Sequence, residues 1–169
     1  MRKCNLFLMF LVTYSSACLG QAQWTTFSEA GGRFKALLPE KPVQSSNAPP
    51  TFVVGTGSGV YAISYTDNHE GADWAETLKG EKDSAISGLS GKVLQKKDIS
   101  LDGFRGRSYS FDGNMPSGAI KGPISGELRL YFNGHRFYML MAVRPKALNN
   151  ADVTKFMNSF QLVSASAGH

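Results

Sequence analysis

Residues 127–143 read ELRLYFNGHRFYMLMAV, two aromatic-rich runs alternating with period two on either side of Asn133-Gly134. An Asn-Gly pair between such runs is the strongest short-range hairpin signal and favours a two-residue type I′ loop. That loop predicts a register with Phe132 opposite His135, Tyr131 opposite Arg136, Leu130 opposite Phe137, Arg129 opposite Tyr138 and Leu128 opposite Met139. One face is then Leu128, Leu130, Phe132, Phe137, Met139 and Met141, a core face with His135 packed beside it. The other carries Glu127, Arg129, Tyr131, Arg136 and Tyr138, each arginine standing opposite a tyrosine. Arg107 and Tyr109 repeat the spacing on the preceding strand and are expected to extend that face. Forked guanidinium donors over tyrosine rings suit an anion or the rim of a sugar. Arg107, Tyr109, Arg129, Tyr131, Arg136 and Tyr138 are therefore the candidate partner-binding residues. The competing reading is a solvated sheet face stabilised by cross-strand pairs of about 0.2–1 kcal/mol each.

Upstream, residues 24–27 and 33–38 read as strands around a Gly31-Gly32 turn, with Phe34, Ala36 and Leu38 on one side. Residues 51–54 and 60–67 follow as strands, with Tyr61, Ile63 and Tyr65 sharing a face, and residues 45–50 read as a loop. Asp73, three residues before Glu76, predicts a capped helix whose stripe is Trp74, Leu78, Ala85 and Leu89, with Ile86 at its edge; Trp74 and Leu78 are its expected buried anchors. Gly80 and Gly88 weaken that helix by about 1 kcal/mol each relative to alanine, so it depends on docking. Strands return at 92–101, 104–111, 127–132 and 136–143, and Val153, Phe156, Met157 and Phe160 stripe a closing helix over 151–159. Short links between successive strands predict an α+β fold, a mostly antiparallel sheet with two helices packed on it. The Gly- and Pro-bearing segment 112–125 reads as a long connection, either a flap or a hairpin loop.

Several of these segments together resemble the PsbP-like family: the aromatic start at Trp24 and Phe27, the strand from Gly32 to Pro39, Tyr61-x-x-x-Tyr65-x-Asp67 leading to a helix, and Phe156-Met157-Asn158-Ser159-Phe160 at the close. The resemblance implies an α/β/α sandwich. It also implies an exported protein acting by contact and without an assigned chemistry. It transfers no binding residue to this chain.

The N-terminus reads as a secretion signal: Arg2 and Lys3 precede an uncharged run over residues 6–12 that is too short to span a bilayer, followed by small residues. Gly20 and Ala22 place cleavage after Ala22, giving a signal peptide of residues 1–22 and a mature start at Gln23. Ser15 and Ala17 before Cys18 support a second reading, a lipoprotein anchored at Cys18. Residues 23–163 are then one domain, with 164–169 a disordered tail. Cys4 and Cys18 are the only cysteines, so the first reading predicts a mature chain without disulfide or thiol chemistry. The chain carries 18 basic and 13 acidic residues; without Arg2 and Lys3 the excess falls to three. No basic run stands out, which argues against nucleic acid, and no later apolar run predicts a transmembrane segment.

Sites for chemistry are sparse. The run Gly55-Thr56-Gly57-Ser58-Gly59 precedes a strand, whereas phosphate loops open onto a helix, so a hairpin loop is expected. Asp67-Asn68-His69-Glu70 gathers possible metal ligands but reads as a polar turn, and the other histidines are His135 and His169. No nucleophile elbow is present. Glu127 and Asp112 are the nearest pair of acids for a hydrolase. The chain is thus read as an exported, non-catalytic accessory or binding module without a cofactor. Its partner would be an unknown protein or an acidic or sugar-like ligand, and an envelope hydrolase is the rival.

Overall fold

The computed structural model describes residues 23–67, 71 and 73–163. The segment read as a signal, with Cys4, Cys18 and Ala22, the residues Asn68, His69 and Glu70 read as a polar turn, and residues 164–169 read as a tail, with His169, lie outside the described residues. Ten strands and two helices follow in the order β1 (Thr25–Glu29), β2 (Phe34–Leu38), β3 (Val43–Asn47), β4 (Pro50–Thr56), β5 (Gly59–Asp67), α1 (Trp74–Ser87), β6 (Lys92–Leu101), β7 (Phe104–Met115), β8 (Gly122–Phe132), β9 (Arg136–Pro145), α2 (Ala151–Ser159) and β10 (Gln161–Leu162). Seven strands form one antiparallel sheet in the order β3-β4-β5-β9-β8-β7-β6; β1, β2 and β10 form a second, small sheet. The expected α+β architecture is what the chain adopts.

The large sheet buries both faces. On one side α2 and the small sheet enclose Phe34, Ala36, Leu38, Tyr61, Ile63, Tyr131, Tyr138, Leu140 and Phe156; on the other α1 covers Leu128, Leu130, Phe132 and Phe137 with Leu78 and Ile86. One hydrogen bond ties α2 to the small sheet: Ser159 Oγ accepts from the Leu37 N–H at 2.8 Å, while donating within the helix to the Phe156 carbonyl at 2.7 Å. At the start of α1 the Asp73 carboxylate accepts from the Glu76 N–H at 2.9 Å, the expected N-cap. Leu78 is fully buried as expected, but Trp74 is only half-buried.

Three other expectations are corrected. Residues 45–50 are not simply a loop: β3 pairs along β4. It is an outer strand of polar, exposed residues, so it lacks the apolar alternation that marks strands in a sequence. The segment 112–125 is mostly ladder, because β7 and β8 pair out to Met115 opposite Gly122 and leave only residues 116–121 at the tip. Its glycine at 113 serves close packing, since a Cβ there would stand 2.7 Å from the Leu89 carbonyl oxygen. The third correction concerns the β8–β9 turn. Phe132 pairs with Phe137 and Tyr131 with Tyr138, so the turn is centred on Gly134-His135, one residue later than predicted. Gly134 (φ 95°) has positive φ while Asn133 does not, excluding type I′ at Asn133-Gly134. The Asn133 side chain instead accepts from the N–H groups of His135 and Arg136 at 3.1 and 2.8 Å. His135 is therefore exposed in the turn and not packed on the core side.

Candidate functional site

Moving the turn by one residue shifts each partner by two, and two is the side-chain period, so the faces survive the register error. Arg129, Tyr131, Arg136 and Tyr138 do share one face, opposite Leu130 and Phe137. That face is not an open sheet surface. It lies beneath α2 and the small sheet, where Tyr131 (5% exposed) stacks on Phe160 at 6.2 Å and Tyr138 (2% exposed) packs edge-on to Phe34. Burial pushes the Tyr131 hydroxyl above its ordinary pKa, although Arg129 nearby pulls the other way.

Arg136 is the clamp that closes this layer. Its Nε and Nη2 donate to the two carboxylate oxygens of Asp67 at 2.5 Å, and Nη1 donates to the carbonyls of Gly31 and Gly32 at 3.1 and 3.0 Å. The Tyr138 hydroxyl donates to the same Gly32 carbonyl at 2.6 Å. One guanidinium thus joins β9, the end of β5 and the β1–β2 turn, and hydrogen bonding to Asp67 raises its pKa beyond that of a free arginine. Its remaining surface lines a cavity of about 300 Å³ with Arg33, His135 and Tyr138.

Arg129 is the arginine that reaches an open groove. The registers of β6–β7 and β7–β8 align Lys97, Ser108 and Arg129 in one cross-strand row and Gln95, Ser110 and Glu127 in the next. These six side chains and Ile99 line a groove of about 240 Å³. Arg129 Nε donates to Glu127 at 2.7 Å, its Nη1 to the Met157 carbonyl at the end of α2 at 3.0 Å and its Nη2 to Asn158 Oδ1 at 3.3 Å. The Ser108 hydroxyl also donates to Glu127, at 2.9 Å. Lys97 makes no hydrogen bond or ion pair among the described residues.

Arg107 and Tyr109 do not extend the arginine and tyrosine face. Arg107 pairs with Leu130 and Tyr109 with Leu128, which places both on the α1 side. Antiparallel partners share a face, so the like spacing of Arg107 and Arg129 carried no information about side until the β7–β8 register was known. Tyr109 is buried, whereas Arg107 Nε donates to Asp98 at 3.0 Å and its guanidinium lies 4.6 Å from the centre of the Trp74 ring. The Asp98 bond raises the Arg107 pKa.

Glu127 and Asp112 fall on the same face, but each carboxylate has a cation: Glu127 has Arg129, and Asp112 accepts from Lys146 at 2.6 Å and from Ser125 Oγ at 2.6 Å. Lys146 and Ser125 hold the Asp112 carboxyl below its usual range. Asp67, from the run weighed as possible metal ligands and read as a polar turn, belongs to the Arg136 clamp. Among the described residues no group of three or more His, Cys, Asp or Glu side chains is placed to hold a metal ion. The run Gly55 to Gly59 closes a tight turn in which Thr56 Oγ1 accepts from the Gly59 N–H at 3.2 Å, as a hairpin loop requires. Lys97, Gln95, Arg33 and Arg105 went unnoticed in the sequence, because only the pairing of three strands brings the first two beside Arg129.

No family model and no curated protein matches this chain. Solved structures do. The solution structure of cyanobacterial PsbP (CyanoP) from Synechocystis sp. PCC 6803 superposes with a TM-score of 0.59 at 8% identity, covering 88% of this chain and 97% of that one. A crystal structure from Bacteroides thetaiotaomicron VPI-5482 gives 0.56 at 9% identity, over 85% of this chain and 50% of that one. No helix among the described residues is long and apolar enough to cross a membrane. At such low identities the similarity speaks for architecture alone, and the chain has the PsbP-like fold.

Proposed function

We propose that the chain is an exported, non-catalytic accessory or binding module that holds an acidic or sugar-like partner in the groove beside Arg129. The observation that carries the proposal is the polar groove itself. Lys97 and Arg129 stand in one cross-strand row with Ser108 between them, and Gln95 and Ser110 flank the next. Cations with hydroxyl and amide neighbours match a ligand bearing both a carboxylate and hydroxyls. Of the six residues picked out by the sequence, Arg129 contacts the partner in this reading. Arg136 and Tyr138 build the layer beneath the small sheet, Tyr131 and Tyr109 fill the core, and Arg107 belongs to the far side. The ion-paired state of Glu127 and Asp112 favours binding over glycoside hydrolysis, which needs one carboxyl kept protonated near neutral pH.

Export rests on the N-terminal segment, with the mature chain beginning at Gln23 in the periplasm or outside the cell. Intact mass of the exported protein tests this, and a lipid on Cys18 would select the anchored alternative. Binding is tested with polygalacturonate, an acidic glycan, against neutral dextran. Polygalacturonate should bind and Lys97→Ala should weaken it by about tenfold. Equal binding of dextran, or full binding by a folded Lys97→Ala/Arg129→Ala protein, would remove the groove from consideration.

A further inference from the structure

On the opposite side of the sheet a second cleft carries its own chemistry. Arg105 and Arg107 point to the α1 side from alternate positions of β7, and each guanidinium carbon lies 4.6 Å from the centre of the Trp74 ring. A guanidinium held over an indole by cation–π attraction spends none of its N–H groups on a conventional acceptor. Arg107 commits its Nε to Asp98. Arg105 makes no hydrogen bond or ion pair among the described residues. Its guanidinium is therefore held over Trp74 while its forked donors stay available, the state that bidentate capture of a carboxylate demands.

Arg105 opens onto a cavity of about 350 Å³ lined also by Asp73, Trp74, Gly103, Phe132, Asn133 and Gly134. That volume lies at the lower end of small-molecule sites. Trp74 and Phe132 give it apolar wall. Gly103 in the β6–β7 turn and Gly134 in the β8–β9 turn leave its mouth clear, since a Cβ at either would meet nothing within 4 Å. Asp73 completes the lining with a carboxylate engaged at the α1 cap. Its charge disfavours a dianion more than a monoanion, as like charges repel in proportion to their product.

We propose that this cleft binds a small monocarboxylate with a planar or apolar body, its carboxylate forked onto Arg105 and its body against Trp74 and Phe132. Neither the groove beside Arg129 nor the sheet face it occupies takes part. The site therefore stands or falls independently of the proposed function.

Benzoate serves as the probe, with benzamide as its neutral counterpart and inorganic phosphate as a small multivalent anion. Trp74 fluorescence is read on the full-length chain carrying Trp24→Phe. Benzoate should give a saturable change, with benzamide and phosphate at least about tenfold weaker. Arg105→Gln, at an exposed position, should lose benzoate by about tenfold with an unchanged urea midpoint. Gly103→Asn, the side chain that enters left-handed backbone at least strain, should block the mouth at φ 83° while leaving the Arg105 and Trp74 contact in place. Lys97→Ala should leave benzoate binding untouched. No saturable response to millimolar benzoate, equal binding of benzamide, or full binding by Arg105→Gln would each overturn the proposal.

Discussion

The two sides of the seven-stranded sheet are covered in unequal ways, and the polarity of their side chains predicts the inequality backwards. The side bearing Arg129, Tyr131, Arg136 and Tyr138 is the more thickly covered, by a helix and a second sheet. There the rings of Phe34, Tyr61, Tyr138, Phe156 and Phe160 pack edge to face or tilted against one another. The side bearing Leu128, Leu130, Phe132, Met139 and Met141 has one helix, α1, with Leu78 and Ile86 as its buried residues, and Ile120 from the β7–β8 tip, and both methionines are only half-covered. Tyrosine is largely hydrocarbon with one polar tip, and arginine can be buried where carbonyls and a carboxylate await it. A strand face rich in the two is as able to form core as one rich in leucine.

The largest expected effect lies in the thick layer. Phe156→Ala removes a fully buried ring that meets Tyr61 at 5.4 Å, and should cost about 3–5 kcal/mol in chemical denaturation. A loss under about 1 kcal/mol would mean that α2 is peripheral and the comparison fails. Arg136→Met should follow at on the order of 3 kcal/mol, because the carbonyls of Gly31 and Gly32 lose a donor and the Asp67 carboxylate loses the forked guanidinium. This exceeds what a solvated cross-strand pair would contribute, so a change below about 1 kcal/mol would restore the solvated-face reading for Arg136.

Smaller effects belong to the thin layer and the rim. Leu78→Ala should cost about 2–3 kcal/mol, the lower part of the range for such a truncation, because a helix resting alone on the sheet can settle into the space. Amide exchange in α1 should accordingly proceed through an opening of lower free energy than that of α2. Matching protection in the two helices would contradict the inequality. The smallest effect concerns pH. Asp112 is held below its ordinary pKa by Lys146 and Ser125, so its contribution is present above the unfolded value of about 3.9 and lost as pH falls through the folded value. Urea midpoints of wild type and Asp112→Asn should therefore draw together as pH falls below about 4 and meet below the folded value, and a gap that does not narrow would show that the Lys146 contact is not the cause.

Local chemistry made much of this legible in advance. The β1–β2 hairpin around Gly31-Gly32, the Asp73 cap, the boundaries of β6 and α2, and the face assignments of β8 and β9 all follow from short-range signals. The edge strand β3 and the ladder beyond Phe111 did not, since polar edge residues and closely packed glycines look like loop. Of the candidate site, Arg129 was found by its neighbours in sequence, while Lys97, Gln95 and Arg105 were not.

By itself the sequence determined the α+β class, the order of the principal elements and which side chains of the 127–143 hairpin stand together, because the period of two holds whatever the turn. The tertiary structure alone decided what covers each of those faces. Whether an arginine is a clamp or an open donor depends on what lies above it, and for Arg136 that is the carboxylate of Asp67 and the backbone of a turn about a hundred residues away in the chain. Cross-strand rows such as Lys97, Ser108 and Arg129 exist only once three strands have taken their register.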